Sequence, residues 1–493
     1  MKKLLITTAL CCIAACTFAT HAQEPVRPRL VVGVMVDQMR WDYLYTYYDK
    51  WQEGGIKRLL AEGYSCQNTF IDYVPTYTAC GHSCVYTGTT PAFNGIVGNN
   101  FLLHGKSITS VNDTTVAGVG TTTNVGQASP RNLLVTTLGD ELRLATQFKA
   151  RVVGVALKDR AAILPAGHAP TGAYWYDSKV PGFITSDYYM KQLPKWVEQF
   201  NKKNQKVMKD YDLWNNRNGV TMTFEMAKAA IDGEQLGQDD VTDLLAISIS
   251  TTDYVGHTWS TRSLQLDSIY EQLDIDLAHF FHALDAKVGK GNYLLFLTAD
   301  HGATHNYQFM SGHSLPSDPW STSPAKNAVN DSILAQFGVK DVVKNTIGYS
   351  WYLNNEALEA SGADRETIKR TIARIVERDD RIAWVIDMEH PYERAIPREL
   401  LDRVVRGYYA KRSGELYIIP VTGNYAGTRA GKGSTHGTWN QSDSHIPLIF
   451  YGWHVPQGER VEPNGMIDIA PTVAAMLHIS APDGAIGKPI VFK

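Results

Sequence analysis

Residues 30–37 read Leu-Val-Val-Gly-Val-Met-Val-Asp, an apolar run that ends at an acidic side chain. A short run of this kind, rich in Val and Leu, is typical of a strand buried on both faces of a parallel sheet. Further runs of this type alternate with helical patterns and lie at residues 151–157, 243–250, 293–298 and 446–451. The sequence therefore predicts an α/β fold with a mostly parallel central sheet and helices on both faces.

Two of the helical patterns are well marked. Between residues 266 and 284, Leu, Ile and Phe recur at steps of three and four, which gives a helix with one apolar face. Residues 364–378 show a similar pattern, and Asp364 stands where an N-cap is expected. Both patterns predict helices with apolar residues along one side.

Three segments are predicted to be insertions that form cap segments on this core. Residues 101–131 are rich in Thr, Gly, Asn and Ser, which favours a long loop or a small β excursion. Residues 167–238 carry many Tyr and Trp side chains, which suit either core packing or a lid over a site. The third predicted insertion spans about residues 356–433.

The N-terminus is predicted to be an export signal over residues 1–22. Two lysines precede an apolar run to about residue 19, and a small-residue cleavage motif ends at Ala22. A lipoprotein signal with the lipid on Cys16 is the alternative, and both place the protein in the periplasm or outside the cell. No later segment has the roughly 18 apolar residues that a membrane span requires. Residues 23–493 would form the mature domain.

Charge argues against a nucleic-acid-binding surface. The chain carries 47 Lys and Arg against 50 Asp and Glu, a net charge of −3. Removal of the predicted signal takes away two lysines and no acid, so the mature protein is more acidic still. Binding of nucleic acid through bulk electrostatics needs the opposite balance.

The cysteines do not form a disulfide framework. Three of the six lie in the predicted signal, which leaves Cys66, Cys80 and Cys84. An odd number allows at most one bridge, which we expect from Cys66 to Cys80 or Cys84, and no CxxC pair is present to hold zinc.

Polar residues gather where the apolar runs end. In an open α/β sheet, ligands bind beyond the carboxyl ends of the strands. The residues found next to the five runs are Asp37, Lys158, Arg160, Asp253, His257, Asp300, His301 and, shortly before the last run, His436. The three carboxylates and three imidazoles in this set suit zinc, and six such ligands plus a hydroxyl suit two Zn²⁺ ions about 4 Å apart.

Residues 73–82 supply the hydroxyl. Pro75 favours an extended residue before it, and the proline-free residues 78–86 predict a helix with Thr78 at its N-terminus. Unpaired N–H groups and the helix dipole could hold a phosphate there beside the Thr78 hydroxyl. The alternative for Thr78 is an ordinary N-cap.

Seven motifs follow one another along the chain: YTACGH with Thr78, VGNN with Asn99, LKDR with Lys158 and Arg160, DYVGH at 253–257, TADHG at 298–302, THG at 435–437 and the segment 467–472. With these motifs in this order, the chain resembles the alkaline phosphatase superfamily. Within it, the resemblance is to the phosphate-irrepressible bacterial phosphatases, which use Thr in place of Ser. The Cys-x-Pro-x-Arg pattern of the sulfatase nucleophile is absent around Cys80.

The resemblance implies a two-zinc site within a catalytic domain over residues 23–493. One zinc is assigned to Asp253, His257 and His436, and the other to Asp37, Asp300, His301 and the Thr78 oxygen. Zinc lowers the pKa of a bound oxygen, so Thr78 could attack phosphorus without a neighbouring base.

The resemblance also implies how substrate is bound. Asn99 and the helix N–H groups would hold phosphate oxygens, while Lys158 and Arg160 neutralise the remaining charge. These roles predict an exported alkaline phosphatase that hydrolyses phosphate monoesters through a phosphothreonine.

Two alternatives stay open. The first is a phosphodiesterase or nucleotide pyrophosphatase on the same scaffold, from which the pair Lys158 and Arg160 distinguishes a monoesterase. The second is a lipid-anchored binding protein that has lost catalysis, against which Thr78 and the complete metal set argue.

Overall fold

The structure is a computed structural model that describes residues 26–492. The predicted signal, including Cys16, lies outside these residues. The strands are β1 (Leu30–Val36), β2 (Tyr64–Cys66), β3 (Thr69–Phe70), β4 (Asn100–Leu103), β5 (Lys106–Thr109), β6 (Gly118–Val119), β7 (Val152–Ala156), β8 (Gly172–Asp177), β9 (Gly182–Ser186), β10 (Asp243–Ile249), β11 (Tyr293–Thr298), β12 (Val343–Ile347), β13 (Ser350–Leu353), β14 (Ile382–Asp387), β15 (Leu416–Pro420), β16 (His445–Ile446), β17 (Leu448–Gly452), β18 (Gly458–Arg460) and β19 (Asn464–Gly465).

Helices occupy the connections between the strands. They are α1 (Tyr43–Thr46), α2 (Ile56–Glu62), α3 (Thr78–Thr87), α4 (Pro91–Asn94), α5 (Leu138–Ala145), α6 (Asp159–Ala166), α7 (Lys195–Asp210), α8 (Asn218–Gly233), α9 (Thr251–Trp259), α10 (Leu264–Leu284), α11 (Tyr307–Gly312), α12 (Thr322–Phe337), α13 (Asn355–Ser361), α14 (Arg365–Val376), α15 (Arg398–Arg406), α16 (Gln441–Ser444) and α17 (Ile469–Met476). Within residues 26–492, no helix is both long enough and apolar enough to cross a membrane.

A ten-stranded sheet in the order β18-β2-β17-β11-β1-β10-β7-β8-β9-β6 forms the centre of the molecule. β1 pairs in parallel with β10 and β11, β10 pairs in parallel with β7, and β7 in parallel with β8. Every residue of β1, β7, β10 and β11 is buried. The predicted α/β fold is confirmed, and the carboxyl ends of these strands share one edge of the sheet.

The last apolar run departs from the predicted parallel pattern. β17 pairs with β11 in the antiparallel direction, with Leu294 opposite Gly452. Pro447 separates β17 from the short β16, and its carbonyl accepts a hydrogen bond from the Thr298 hydroxyl at the end of β11. The chain reaches β17 from the carboxyl edge of the parallel strands, so β17 must run back from that edge.

A four-stranded antiparallel sheet, β12-β13-β15-β14, forms a second, smaller unit. It has its own hydrophobic core, to which Trp351, Ile368 and Ile372 contribute. The predicted insertion 356–433 contains β14 and β15, whereas β12 and β13 precede it.

The other two predicted insertions contribute strands to the main sheet, and one of them also forms a separate hairpin. β8 and β9, from the aromatic segment 167–238, are strands of the main sheet. Residues 101–131 hold β5, most of β4 in a two-stranded hairpin with it, and β6 at the edge of the main sheet.

Both predicted helices are confirmed. Leu273, Leu277 and Phe280 of α10 are fully buried, as its apolar face requires. The Asp364 carboxylate accepts a hydrogen bond from the Thr367 N–H and caps α14.

The predicted disulfide is wrong, because Cys66, Cys80 and Cys84 are all free and buried. Cys80 donates through its thiol to the Ile96 carbonyl at 3.1 Å, and the Asn94 side chain contacts Cys84. Cys84 therefore contacts the last residue of α4, and Cys80 contacts the segment after it. Burial raises the pKa of the Cys84 thiol to about 12, so it stays protonated at neutral pH.

Candidate active site

Thr78 is the first residue of α3, and Tyr77 is its N-cap, with extended backbone angles and no side-chain capping bond. Thr78 is buried, and its Oγ1 lies 3.4 Å from His301 Nε2 and 3.5 Å from Lys158 Nζ. The N-cap alternative therefore does not describe this residue. Its hydroxyl faces the charged groups at the strand ends instead of its own helix.

The six predicted metal ligands form two triads, in each of which the ligand atoms lie within 4.8 Å of one another. The triads are adjacent, because Lys158 bonds to a carboxylate in each of them. The first triad is Asp253, His257 and His436, and the second is Asp37, Asp300 and His301.

Each histidine is oriented by a backbone carbonyl. Nδ1 of His257, His301 and His436 bonds to a carbonyl oxygen at 2.8, 2.9 and 2.7 Å, respectively. A ring nitrogen that donates in this way fixes the tautomer and leaves Nε2 as the ligating atom, which is the usual arrangement of metal-binding histidines. The acceptors are the carbonyl oxygens of Ser434, Gly302 and Thr76.

The carboxylates also fit a metal centre. Asp37, Asp253 and Asp300 are at most 4% exposed. Within the described residues, Asp37 Oδ1 and Asp300 Oδ2 accept no hydrogen bond. Burial and the neighbouring Asp300 raise the pKa of Asp37 well above its usual value. A cation beside Asp37 would favour its charged form. Oxygen and imidazole donors without a thiolate suit Zn²⁺.

Lys158 lies between the two triads. Its Nζ bonds to Asp37 Oδ2 at 2.5 Å and Asp253 Oδ2 at 2.6 Å. Burial alone would lower the pKa of Lys158, but Asp253 and Asp37 outweigh it and raise that pKa. The lysine is therefore a fixed positive charge next to Thr78.

The Asn99 side chain is hydrogen-bonded to the first turn of α3. Its Oδ1 accepts a hydrogen bond from the Ala79 N–H at 2.9 Å, directly after Thr78. Because Oδ1 is occupied, the Nδ2 group is the part of Asn99 that can donate to another ligand.

Arg160, unlike Lys158, forms no hydrogen bond or ion pair with the two triads in the described residues. It lies in the first turn of α6, with Nη1 3.7 Å from Asp159. In the described part of the chain, its Nε is buried without a hydrogen-bond partner. The structure shows no hydrogen bond or ion pair from Arg160 to Thr78 or either triad within residues 26–492.

Gln38 belongs to the site, although the motif analysis did not identify it. Its Nε2 donates to Asp253 Oδ1 at 2.6 Å, and its backbone N–H donates to Asp300 Oδ1 at 3.1 Å. A Cβ on Gly256 would lie 1.9 Å from Gln38 Oε1, so the glycine of DYVGH makes room for this side chain. Gln38 could have been identified from the sequence by its position directly after Asp37, at the end of the first apolar run.

The loop that carries His436 is held from both sides. Gly437 has φ of +105°, and a Cβ there would meet the Tyr77 ring at 2.4 Å. The buried Asp443 carboxylate accepts bonds from the N–H and hydroxyl of Thr438 at 3.0 and 2.7 Å. Burial raises the pKa of Asp443 to about 6. These contacts place His436 at the site although it precedes β17 in sequence.

The predicted resemblance to the alkaline phosphatase superfamily is confirmed by a family model and by relatives that cover nearly the whole chain. Residues 31–443 match the family model described as type I phosphodiesterase / nucleotide pyrophosphatase. The chain belongs to this family.

Individual relatives cover nearly the whole chain. Alkaline phosphatase PafA from Elizabethkingia meningoseptica is 44% identical over 94% of each chain. A crystal structure of wild-type PafA superposes with a TM-score of 0.91 over 94% of this chain and 98% of that one. A protein from Myroides odoratus named calcium-transporting ATPase is 42% identical over 99% of this chain and 98% of its own length. A solved PafA variant carries one Thr-to-Ser and three alanine substitutions, at Asn, Lys and Arg.

Proposed function

We propose that this chain is an alkaline phosphatase that hydrolyses phosphate monoesters. The observation that carries the proposal is the buried Thr78 hydroxyl at a helix N-terminus, 3.5 Å from the Lys158 ammonium and 3.4 Å from His301. A phosphate at this position would meet a nucleophile, a cation and helix N–H groups together. The name of the relative PafA agrees with this activity.

We assign the two triads to two Zn²⁺ ions, with the Thr78 oxygen as a further ligand of the ion at Asp37, Asp300 and His301. The buried carboxylate oxygens without hydrogen bonds and the three oriented imidazoles support this assignment. When bound, zinc supplies Lewis acidity, which lowers the pKa of an oxygen ligand and stabilises negative charge.

The chain's own groups then act on the ester. The Thr78 hydroxyl gives its proton to solvent and its oxygen attacks phosphorus, the bond to the alcohol oxygen breaks, and the alcohol leaves with a proton from solvent. Water then gives a proton to solvent and attacks the phosphothreonine, the bond to the Thr78 oxygen breaks, Thr78 takes a proton back from solvent, and inorganic phosphate is released. Asn99 Nδ2, the helix N–H groups and Lys158 hold the non-bridging oxygens during both steps.

Arg160 is assigned to the third non-bridging oxygen of a monoester. Its only ion pair in the described residues is with Asp159, at 3.7 Å, so the guanidinium can turn toward an incoming dianion. The PafA variant supports the quartet Thr78, Asn99, Lys158 and Arg160. Its altered Thr and Asn are as far apart in sequence as Thr78 and Asn99, and its altered Lys and Arg are as far apart as Lys158 and Arg160.

A substrate panel tests the proposal. The purified enzyme is given p-nitrophenyl phosphate, bis(p-nitrophenyl) phosphate and ATP, and kcat/KM is measured for each. We expect the monoester to be preferred over the diester by at least about tenfold, because the diester lacks a third charged oxygen. Preference for the diester would favour the phosphodiesterase alternative, and no turnover of any ester would favour a binding protein.

The assay with ATP also tests whether the activity named for one relative, a calcium-transporting ATPase, applies to this chain. The terminal phosphate of ATP has three non-bridging oxygens, as a monoester does. A phosphatase of this kind should therefore release phosphate from ATP without added calcium. A requirement for calcium would contradict the proposal.

We propose export through the signal at residues 1–22, with the enzyme in the periplasm or outside the cell. N-terminal mass analysis of the protein from cell fractions tests this. A mature chain that starts at Gln23 supports release, and a lipid-modified Cys16 would show an anchored form. An unprocessed chain in the cytoplasm would contradict export.

A further inference from the structure

Arg412 carries a charge into a buried region without an acidic partner. It is 6% exposed, and no carboxylate within the described residues forms an ion pair with it. Its Nη1 donates to the Gly95 carbonyl at 2.5 Å and the Asn132 carbonyl at 2.6 Å. The guanidinium lies over the Phe101 ring, 4.9 Å from its centroid. Two carbonyls and an aromatic face thus take the place of a counter-ion.

One of the two carbonyls, that of Gly95, belongs to the segment that carries Asn99, and the other, that of Asn132, is linked to Asn99 through Ser110. Gly95 ends α4 with φ of +77° and begins the segment that leads to Asn99. Asn132 Nδ2 donates to the Ser110 carbonyl at 3.1 Å, and the Ser110 N–H donates to the Asn99 carbonyl at 2.9 Å. Arg412 therefore bonds directly to the start of this segment at Gly95, and through Asn132 and Ser110 it is linked to the segment's end at Asn99.

Arg412 comes from the smaller unit of the molecule, between α15 and β15. Its own carbonyl accepts a hydrogen bond from the Tyr352 hydroxyl of β13 at 2.8 Å. The contact with Gly95 thus joins the smaller sheet to the loop that carries Asn99. The planar guanidinium donates in fixed directions, so it can set the position of both acceptors at once.

We propose that Arg412 is a positioning residue for phosphate binding, which acts by holding the Gly95 and Asn132 carbonyls and through them the Asn99 side chain. This inference rests on the role proposed above for Asn99. A small displacement of a binding group lowers the rate strongly, so Arg412→Met should lower kcat/KM for p-nitrophenyl phosphate by about tenfold. Arg412→Lys keeps one donor and should lose less.

A double-mutant cycle separates positioning from general destabilisation. We measure kcat/KM for the enzyme, Arg412→Met, Asn99→Ala and the double variant. If Arg412 acts through Asn99, its replacement in the Asn99→Ala background should cost less than about twofold. Zinc content and the melting temperature are measured for all four, and Arg412→Lys replaces Arg412→Met if the latter does not fold.

Arg143→Met is the matched control. Arg143 Nη1 likewise donates to two backbone carbonyls, of Phe148 and Ala150, and its guanidinium lies over the Phe148 ring. It contacts none of the site residues, so its replacement should leave kcat/KM within about twofold.

An equal loss from Arg412→Met with and without Asn99 would overturn the inference, as would full activity of Arg412→Met. If Asn99→Ala alone retains full kcat/KM, the role proposed for Asn99 fails, and the positioning role of Arg412 fails with it. That outcome leaves the assignment of Thr78 untouched, so the two failures are distinguishable.

Discussion

The imidazole rings of His301 and His436 stack with their centroids 3.5 Å apart and their planes 13° from parallel, although they belong to different triads. His301 follows a parallel strand, whereas His436 lies in a loop before an antiparallel one. The stack and Lys158 make the two triads one connected unit. A substitution in one triad should therefore also weaken metal binding by the other.

Metal analysis of His436→Ala tests this unit. We expect about two zinc ions per chain in the enzyme and about one in the variant, which loses chiefly the ion at Asp253 and His257. The remaining ion should also bind more weakly, because a ring that packs against His301 is gone. Inductively coupled plasma mass spectrometry after dialysis gives the zinc content, and titration with a chelator gives the affinity.

His390→Ala is the control, since His390 is exposed and lies outside both triads. It should retain both ions. Full zinc content in His436→Ala, or an active enzyme free of every metal after chelation, would contradict the assignment.

Lys158 and Arg160 should determine the preference for monoesters. A monoester presents three non-bridging oxygens with nearly two charges, whereas a diester presents two with one charge. Each lost charge-assisted contact should cost roughly 1.5–3 kcal/mol, or about ten- to a hundredfold in kcat/KM. The double variant Lys158→Ala and Arg160→Ala should therefore lose far more activity toward p-nitrophenyl phosphate than toward its diester.

The ratio of the two kcat/KM values is measured before and after mutation, in protein shown to hold its zinc. That check is needed because Lys158 also bonds to Asp37 and Asp253. Lys228→Ala removes a lysine that pairs with Glu225, outside the site, and should leave the ratio unchanged. If the double variant also keeps the ratio, these side chains do not select the monoester.

Asp113 should stabilise the loop at residues 110–131 through its charged form. The carboxylate accepts bonds from Ser129, Thr115 and Arg131. Burial would raise the pKa of Asp113, but the Ser129 and Thr115 hydrogen bonds outweigh it and lower the pKa from 3.8 to about 2. Because the folded-state pKa is depressed, the stabilisation is complete above about pH 4 and is lost as the pH falls toward about 2.

Asp113→Asn should therefore lower stability by roughly 1–3 kcal/mol at neutral pH, and less in acid. The melting temperatures of the two proteins are compared by calorimetry from about pH 7 to pH 3. Asp331→Asn, at an exposed position of α12, should not change the melting temperature. A difference between Asp113→Asn and the enzyme that grows on acidification would contradict the role of the charge.

The fold and most of the site could be predicted because the signals are local. A buried parallel strand is an apolar run, and the residue after it lies at the sheet edge whatever the rest of the chain does. Asp37, Asp253 and Asp300 followed from this rule alone. His436 was grouped with these residues although it precedes its strand, and its position at the same edge is explained by the antiparallel direction of β17.

Contacts between distant segments could not be predicted. Whether Lys158 or Arg160 lies nearer Thr78 depends on side-chain direction, which a motif does not specify. The free cysteines depend on which neighbours α3 packs against. The aromatic segment was equally ambiguous: Tyr174 and Trp175 are fully buried, whereas Trp214 packs on Tyr254, whose ring lies 5.3 Å from Lys158 Nζ.

The covalent intermediate on Thr78 is the central claim, and trapping it is the most direct measurement. The enzyme is mixed with p-nitrophenyl phosphate, quenched in acid within the first turnovers, digested and analysed by peptide mass spectrometry. We predict phosphate on Thr78, none in Thr78→Ala, and loss of roughly a thousandfold or more of the activity in that variant, with Thr78→Ser retaining much more. Phosphate on another residue, or a fully active Thr78→Ala enzyme, would contradict the account.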